Sequence, residues 1–388
     1  MTRRSAAALA PGLLVLGLLA AGCGQGGNES DVEVAGTSAP TQGSADGAST
    51  VVIDGVPDVV ATIATGLATP WGIDFLPDGS AIVTERDSAR VLHVTAPELT
   101  DGTSKEQGKV VELGRIPQAA PQGEAGLLGV AVSPGFASDG LLYFYVSTAK
   151  DNRVVRARLE GTSLGKPQPV LTGIPAGLRH DGGRMAFGPD GYLYVSTGET
   201  GDDQLARDRK SLAGKILRIT TDGRPAPDNP FGTLVWSWGH RNVQGLAFDP
   251  DGSLWATELG DKKADELNRI LPGEDYGWPV VEGFGGPKRF TPPQLTWKTS
   301  EASPSGLAYA GGYLWMAALR GERLWRVKVA GGQVSDPTAY FTGTDDDGYG
   351  RLRTVVAAPD GRLWLATSNK DGRGEAAADD DRILLIDP

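Results

Sequence analysis

The sequence predicts an all-β chain folded as a six-bladed β-propeller, and three observations lead there. A tight turn recurs as Pro77-Asp78-Gly79, Asp139-Gly140, Pro189-Asp190-Gly191, Pro250-Asp251-Gly252, Gly311-Gly312 and Pro359-Asp360-Gly361, at intervals of roughly 50 to 60 residues. Each turn leads into a pair of short strand-like runs. No segment has the apolar spacing of a long amphipathic helix, whereas 55 glycines and 26 prolines supply the closely spaced turns that short strands need. Small sheets of this kind cannot bury their faces alone, so they stack side by side, and six of them close into a ring. An irregular array of β-sandwiches is the alternative.

The first strand of each pair is read at 80–85, 141–147, 192–197, 253–258, 313–317 and 362–367. Leu254-Trp255-Ala256-Thr257 and Leu363-Trp364-Leu365-Ala366 mix large apolar with small residues, as a strand packed on both faces does. The second strands are read at 90–94, 153–159, 215–219, 267–271, 324–329 and 383–386. Closure of a ring requires a strand from the far end of the chain, and 59–65 is expected to share a blade with 383–386, hiding both edges.

The N-terminal segment does not belong to this array. Residues 1–22 carry Arg3 and Arg4, then an apolar run, and read as a signal peptide too short to remain as a membrane span. Leu19-Ala20-Ala21-Gly22-Cys23 resembles a lipobox, which makes Cys23 the expected lipidation site and places the protein outside the cytoplasm, anchored to the outer face of the cell membrane. A plain secreted protein is the alternative. Residues 23–55 are Gly, Ser, Thr, Ala and acid with little to bury, and read as a flexible tether. The propeller is expected over 56–388. Cys23 is the single cysteine, so no intramolecular disulfide stabilises the fold. Removing Arg3 and Arg4 takes the formal charge from −11 to −13, and so acidic a chain is not built for a phosphate backbone, which disfavours nucleic acid as a partner.

In a propeller the loops of all blades meet at the mouth of the central channel, so unusual loops are the candidates for chemistry. Of the three histidines, His93 lies within a predicted strand and reads as structural. His180, in Leu178-Arg179-His180-Asp181-Gly182-Gly183-Arg184, precedes a strand on a Gly-rich loop and is a candidate general base. His240 opens His240-Arg241-Asn242, where a guanidinium beside an amide can grip a planar, oxygen-rich ligand; stacking of Arg241 on Trp238 is the structural alternative. Arg320, Arg351 and Arg353 add guanidiniums from two further units, although Asp345-Asp346-Asp347 could neutralise the last two. Glu258-Leu259-Gly260-Asp261, Asp265-Glu266 and Tyr276-Gly277-Trp278-Pro279 combine carboxylates with exposed carbonyls, the donor set of a hard cation. There is no Cys or His cluster for zinc or iron, and the lack of a phosphate-binding loop disfavours NAD or ATP chemistry.

Taken in order, Glu124-Ala125-Gly126-Leu127-Leu128-Gly129, His180-Asp181-Gly182-Gly183-Arg184, Gly198-Glu199-Thr200-Gly201, Gly239-His240-Arg241-Asn242, Tyr276-Gly277-Trp278-Pro279 and Arg351-Leu352-Arg353 resemble the soluble quinoprotein glucose dehydrogenase and aldose sugar dehydrogenase family. The resemblance spans the whole predicted array. It implies a propeller that binds pyrroloquinoline quinone (PQQ) and calcium and oxidises an aldose at the anomeric carbon to a lactone, with electrons leaving to an external acceptor. His180 matches the base and Glu199 the carboxylate that orients it. Arg241 and Asn242 match contacts to the quinone, with Arg241 counted among the catalytic groups. Arg320, Arg351 and Arg353 match the residues that hold the cofactor's carboxylates. Gly260 and Asp261 match the calcium loop, and Glu266 and Tyr276 a second calcium site. Glu124 and Gln204 fall where the sugar is bound. Glu199 stands where the family commonly has Asp, and Glu124 where glucose-active members have Gln, which leaves the sugar open. A monomer is expected. Two other readings use the same fold: a calcium-binding propeller that recognises carbohydrate without turning it over, and a calcium-dependent lactonase, which would leave the arginines unexplained.

Overall fold

Each of the six turns joins the innermost strand of a blade to the strand beside it. The computed structural model describes residues 55–343 and 348–388, together with the backbone of the strand Glu33–Val34. Blade 1 is built from Pro70–Phe75, Ala81–Glu85, Arg90–Thr95 and Lys109–Arg115, in that order from the axis outwards. The inner strands of blades 2 to 6 are Leu127–Val132, Met185–Phe187, Val243–Phe248, Pro304–Ala310 and Leu352–Ala357, and neighbouring inner strands pack on one another around the ring. Blade 6 is completed by Asp58–Ala64, which pairs antiparallel with Ile383–Asp387, so that Val59 faces Ile386 and Thr62 faces Leu384. This is the closure the sequence predicts. The expected signal peptide and Cys23 lie outside the described residues. Within the stretch read as a tether, Glu33–Val34 pairs with Leu295–Trp297, where the outer edge of blade 4 offers unpaired backbone groups.

The twelve strands read from the sequence are the two strands outside each inner one, matching within a residue or two. The inner strands themselves escaped that reading. In blades 1, 2, 4, 5 and 6 they are buried on both faces over at least their first four residues, so they show no alternation.

The core lies between the blades, as six wedges. An aromatic residue three places after the turn glycine fills most of them: Tyr143, Tyr194, Trp255, Trp315 and Trp364, all buried. Trp364 closes the wedge between blades 6 and 1, edge-on to Phe75 with ring centroids 5.1 Å apart. The wedge between blades 1 and 2 has Ile82 at that place.

The inner strands of blades 1, 2, 4, 5 and 6 all slip register against their neighbours near their N-terminal ends. Such bulges redirect one side chain out of the ladder. Trp71, Gln244 and Arg353 fall within these slips, and all three line a cavity at that end of the channel. Gly245 follows Gln244 because a Cβ there would collide with Thr257 Oγ1 and Ser305 O of the adjacent strands. Beneath them Arg184 crosses the axis. Its guanidinium donates to Gln244 O at 2.8 Å, Trp71 O at 3.2 Å and Thr354 Oγ1 at 3.2 Å, and lies 4.2 Å from the Trp71 ring centroid, so one side chain of blade 3 ties blades 1, 4 and 6.

Candidate active site

Two cavities open on the channel, one at each end. The larger, about 790 Å³, lies at the end of the Asp-Gly turns and is walled by inner-strand residues such as Ile73, Val130, Leu246, Leu307 and Val355. The smaller, about 160 Å³, lies at the N-terminal ends of the inner strands and is lined by Trp71, Arg86, Glu124, Asp181, Gln244, Leu259, Leu319, Arg351, Arg353, Asp371 and Arg373. The charged side chains gather at the smaller one.

His180 stands beside that lining with an unusual backbone, φ 58°, in the left-handed region that costs a non-glycine residue about 1 kcal/mol or more. Three bonds hold it there. Its N–H donates to Glu124 Oε2 at 2.9 Å, its carbonyl accepts from Thr200 N–H at 3.1 Å, and its Nδ1 is hydrogen-bonded to Glu199 Oε1. Glu199 is 2% exposed and His180 8%. The extra methylene of Glu199 relative to Asp is therefore accommodated with the pair intact. Gly198 packs its Cα against His180 O, where no side chain fits. Behind the loop, Asp181 Oδ1 accepts from Asn152 Nδ2 and Gly177 N–H, and Tyr145 donates to Asp181 O. Burial pushes the Asp181 carboxyl up to about 6.

Glu124 is not a free carboxylate facing the cavity. One oxygen holds the His180 backbone and the other pairs with Arg373 Nη2 at 2.9 Å. Burial alone would raise its pKa, but the His180 N–H and the Arg373 charge win and hold it below the usual carboxylate range.

Arg351 and Arg353 enter from blade 6 as expected, but their partner is Asp371. Arg351 Nη2 lies 2.8 Å and Arg353 Nη2 3.0 Å from Asp371 Oδ2. Asp345, Asp346 and Asp347 lie outside the described residues. Burial pushes the Arg353 guanidinium down to about 10. Arg184, buried and bonded only to neutral groups, is pushed down to about 9 by burial and by Arg353.

On the blade 4 side, Arg241 bonds Leu259 O through Nη1 at 3.1 Å and Asp261 Oδ1 through Nη2 at 3.3 Å, and stands over Trp278. The guanidiniums over Trp238 are those of Arg207 and Arg209, so the stacking weighed for Arg241 uses a different tryptophan. Asn242 Oδ1 accepts from Gly182 N–H at 3.1 Å, while its buried Nδ2 has no partner among the described residues. His240 is fully buried between Glu258 and Ser237 and stacks on Tyr276, as a structural side chain does. His93, on an outer strand, bonds Ser80 and takes no part in the site.

A known family matches most of the propeller. The family model for Glucose / Sorbosone dehydrogenase fits residues 67–375. The chain belongs to the glucose/sorbosone dehydrogenase family. As a member it is a dehydrogenase, which favours the enzymatic reading over a propeller that only binds or a lactonase. It is similar to the PQQ-bound aldose sugar dehydrogenase from Streptomyces coelicolor, with 51% identity and a TM-score of 0.79 over 86% of this chain and 98% of that one. It is also similar to the aldose sugar dehydrogenase of Escherichia coli, at 28% identity over 81% of this chain and 91% of that one. With quinoprotein glucose dehydrogenase B of Acinetobacter calcoaceticus it shares 32% identity over 57% of this chain and 52% of that one. No helix among the described residues is long and apolar enough to cross a membrane.

Of the predicted site residues Glu124, Arg351 and Arg353 line this cavity; Arg241, Gly260, Glu266 and Tyr276 line a separate, much smaller pocket with Glu258 and Glu282, and Arg320 and Gln204 stand apart from both. Arg320 is exposed, one residue beyond Leu319 in the lining. Gln204 is exposed on the short helix Asp203–Arg207 and bonds Asp203. The Tyr276 hydroxyl is used locally, donating to Arg269 O and accepting from Leu271 N–H. Arg86, Asp371 and Arg373 were missed. Each follows the second strand of its blade, and a rule that such loops face the site would have found them.

Proposed function

We propose that the protein oxidises an aldose at its anomeric carbon to the lactone, using PQQ and calcium. The observation that carries this reading is the His180–Glu199 pair beside a cavity ringed with guanidiniums. Glu199 accepts from Nδ1 and so sets the tautomer, leaving the Nε2 lone pair to take the proton of the anomeric hydroxyl. Glu124 and Arg373 brace the backbone that aims this ring.

The residues present suit PQQ, a planar tricarboxylate. Arg351 and Arg353 each keep Nη1 outside their contacts with Asp371 and Ser368, Asn242 keeps a buried donor, and Arg241 adds a fixed cation. Bound there, PQQ supplies the two-electron acceptor that the protein itself lacks. Calcium suits the neighbouring loop. Glu258 and Glu266 are both buried and face one another across Asn268 Nδ2, two carboxylates that a cation between them would suit. Gly260 and Asp261 would give backbone carbonyls to the calcium that serves the quinone, and Glu266 would hold the second calcium, which Tyr276 would join through its own carbonyl. Among the described residues no three His, Cys, Asp or Glu side chains gather into a metal cluster, so backbone carbonyls would have to supply part of any calcium donor set.

Export behind residues 1–22, lipidation of Cys23, a tether over 23–55 and a monomer that passes electrons to an external acceptor complete the proposal. Its support there is the order of Arg3, Arg4, the apolar run and Cys23. Replacement of Cys23 by Ser should move the protein from the membrane fraction to the soluble one.

The central test adds PQQ and calcium to the full chain and follows dye reduction over a panel of aldoses. Sugar-dependent reduction is expected. PQQ binding with no response to any aldose would sink the substrate class, and no PQQ binding would sink the cofactor.

A further inference from the structure

The loop of blade 4 that leads from Glu258 to Asp265 closes on a carboxylate from a later turn. Glu282 reaches it from just beyond Tyr276-Gly277-Trp278-Pro279, and a single oxygen, Oε1, accepts four successive backbone N–H groups. The distances are 2.8 Å from Asp261, 3.0 Å from Lys262, 2.8 Å from Lys263 and 3.0 Å from Ala264. Consecutive amides aimed at one point form an anion-binding concavity, here filled by the protein's own side chain. A Cβ on Gly260 would strike both Ala264 O and Glu282 Oε1, so the loop closes this tightly only with glycine there.

The consequence lies on the other side of the loop. Across a planar trans peptide, an N–H points opposite to the C=O of the preceding residue, and the cis bonds among the described residues are elsewhere. Pinning the N–H groups of Asp261 and Lys262 on Glu282 therefore turns the carbonyls of Gly260 and Asp261 away from it. Neither carbonyl accepts a hydrogen bond from a described residue, whereas Leu259 O, one residue earlier, is taken by Arg241. The Gly260 N–H is held as well, by Asp265 Oδ1 at 2.8 Å. Two adjacent, unused and rigidly directed carbonyl oxygens remain.

We propose that Glu282 is the positioning residue of the calcium loop: from the far side it fixes the carbonyls of Gly260 and Asp261 as donors, without itself being a ligand. This rests on the calcium reading above. Outer partners that orient the ligands of a metal are worth ~10–100-fold in its affinity. The nest needs reach and an acceptor oxygen, and a neutral amide has both. A ligand role would need charge.

Calcium affinity of the full chain without PQQ, measured by competition with a chelating indicator and by the calcium-induced rise in melting temperature, separates the possibilities. Glu282→Ala should weaken calcium ~10–100-fold. Glu282→Gln keeps the reach and should stay within about threefold of the parent, since most of that effect is orientation. Glu282→Asp keeps the charge but falls short of the nest, and should behave like Ala. Asp binding better than Gln would overturn the proposal in favour of direct ligation. Equal affinity in all three variants would leave Glu282 a stabiliser of the loop only and also overturn it. No calcium response in the parent chain would remove the calcium reading itself, a distinct result.

Discussion

Replacing Glu266 by Gln should stabilise the calcium-free protein, and only on the alkaline side. Glu266 is buried on the third strand of blade 4. Its Oε1 accepts from Gly283 N–H at 2.7 Å and its Oε2 from Asn268 Nδ2 at 3.0 Å, while Glu258 lies across the same Asn268. Burial first, and the Glu258 charge second, raise its pKa from 4.5 to about 8. The sign follows from proton counting. Between these values the unfolded chain has released the proton and the folded chain keeps it, so stability is intact at pH 4 and falls as pH rises towards 8. At ~1.4 kcal/mol per pH unit, the whole shift corresponds to an upper limit on the order of 5 kcal/mol. Glutamine is isosteric, never ionises and keeps the oxygen that faces Gly283. The measurement is thermal unfolding of the full chain in chelator, parent against variant, at pH 5 and pH 8. At ~2 °C per kcal/mol for a domain of this size, the variant should melt about 5–10 °C higher at pH 8 and within about 2 °C at pH 5. It should also lose most of the calcium-induced rise shown by the parent. A variant that melts lower at pH 8, or gains equally at both pH values, would refute the reasoning.

Further outcomes follow from other contacts. His180→Gln should cost ~10²–10⁴ in turnover while PQQ still binds, as read by cofactor titration; unchanged turnover would remove His180 as the base. Gly198→Ala should leave a folded protein with depressed turnover, because its Cβ displaces the His180 carbonyl; steady-state kinetics beside circular dichroism reads both. Neutralising Arg351 and Arg353 alone would strand Asp371, whose side chain is 2% exposed. The informative variant is therefore Arg351→Gln, Arg353→Gln and Asp371→Asn together, expected to lose PQQ affinity by more than tenfold with little loss of melting temperature. Trp364→Ala opens the wedge between blades 6 and 1 and should cost ~3–5 kcal/mol in denaturant unfolding without altering the cavity.

What was legible in the sequence was local. Asp-Gly turns dictate where the chain reverses, and the large-small alternation of Leu254-Trp255-Ala256-Thr257 marks a strand wedged between two sheets, so the repeat, the six blades and the closure by Asp58–Ala64 follow from short-range chemistry and edge protection. His180 was legible as a loop histidine and Glu199 as its partner through the family resemblance; the first precedes the inner strand of blade 3 and the second follows the strand beside it. The inner strands were not, because their bulges and burial on both faces erase the period of two, and those bulges carry Trp71, Gln244 and Arg353 to the cavity. Which charges meet is also a property of the closed ring. Arg373 of blade 6 reaches Glu124, which precedes blade 2; Arg184 of blade 3 reaches Trp71, Gln244 and Thr354; Asp371 meets Arg351 and Arg353; and Arg320 and Gln204 stand away from the cavity. The sequence by itself determined the repeating unit and the residue types at the mouth of the channel. Only the tertiary structure decided their partners, because residues far apart in the chain become neighbours once the six blades converge on one axis.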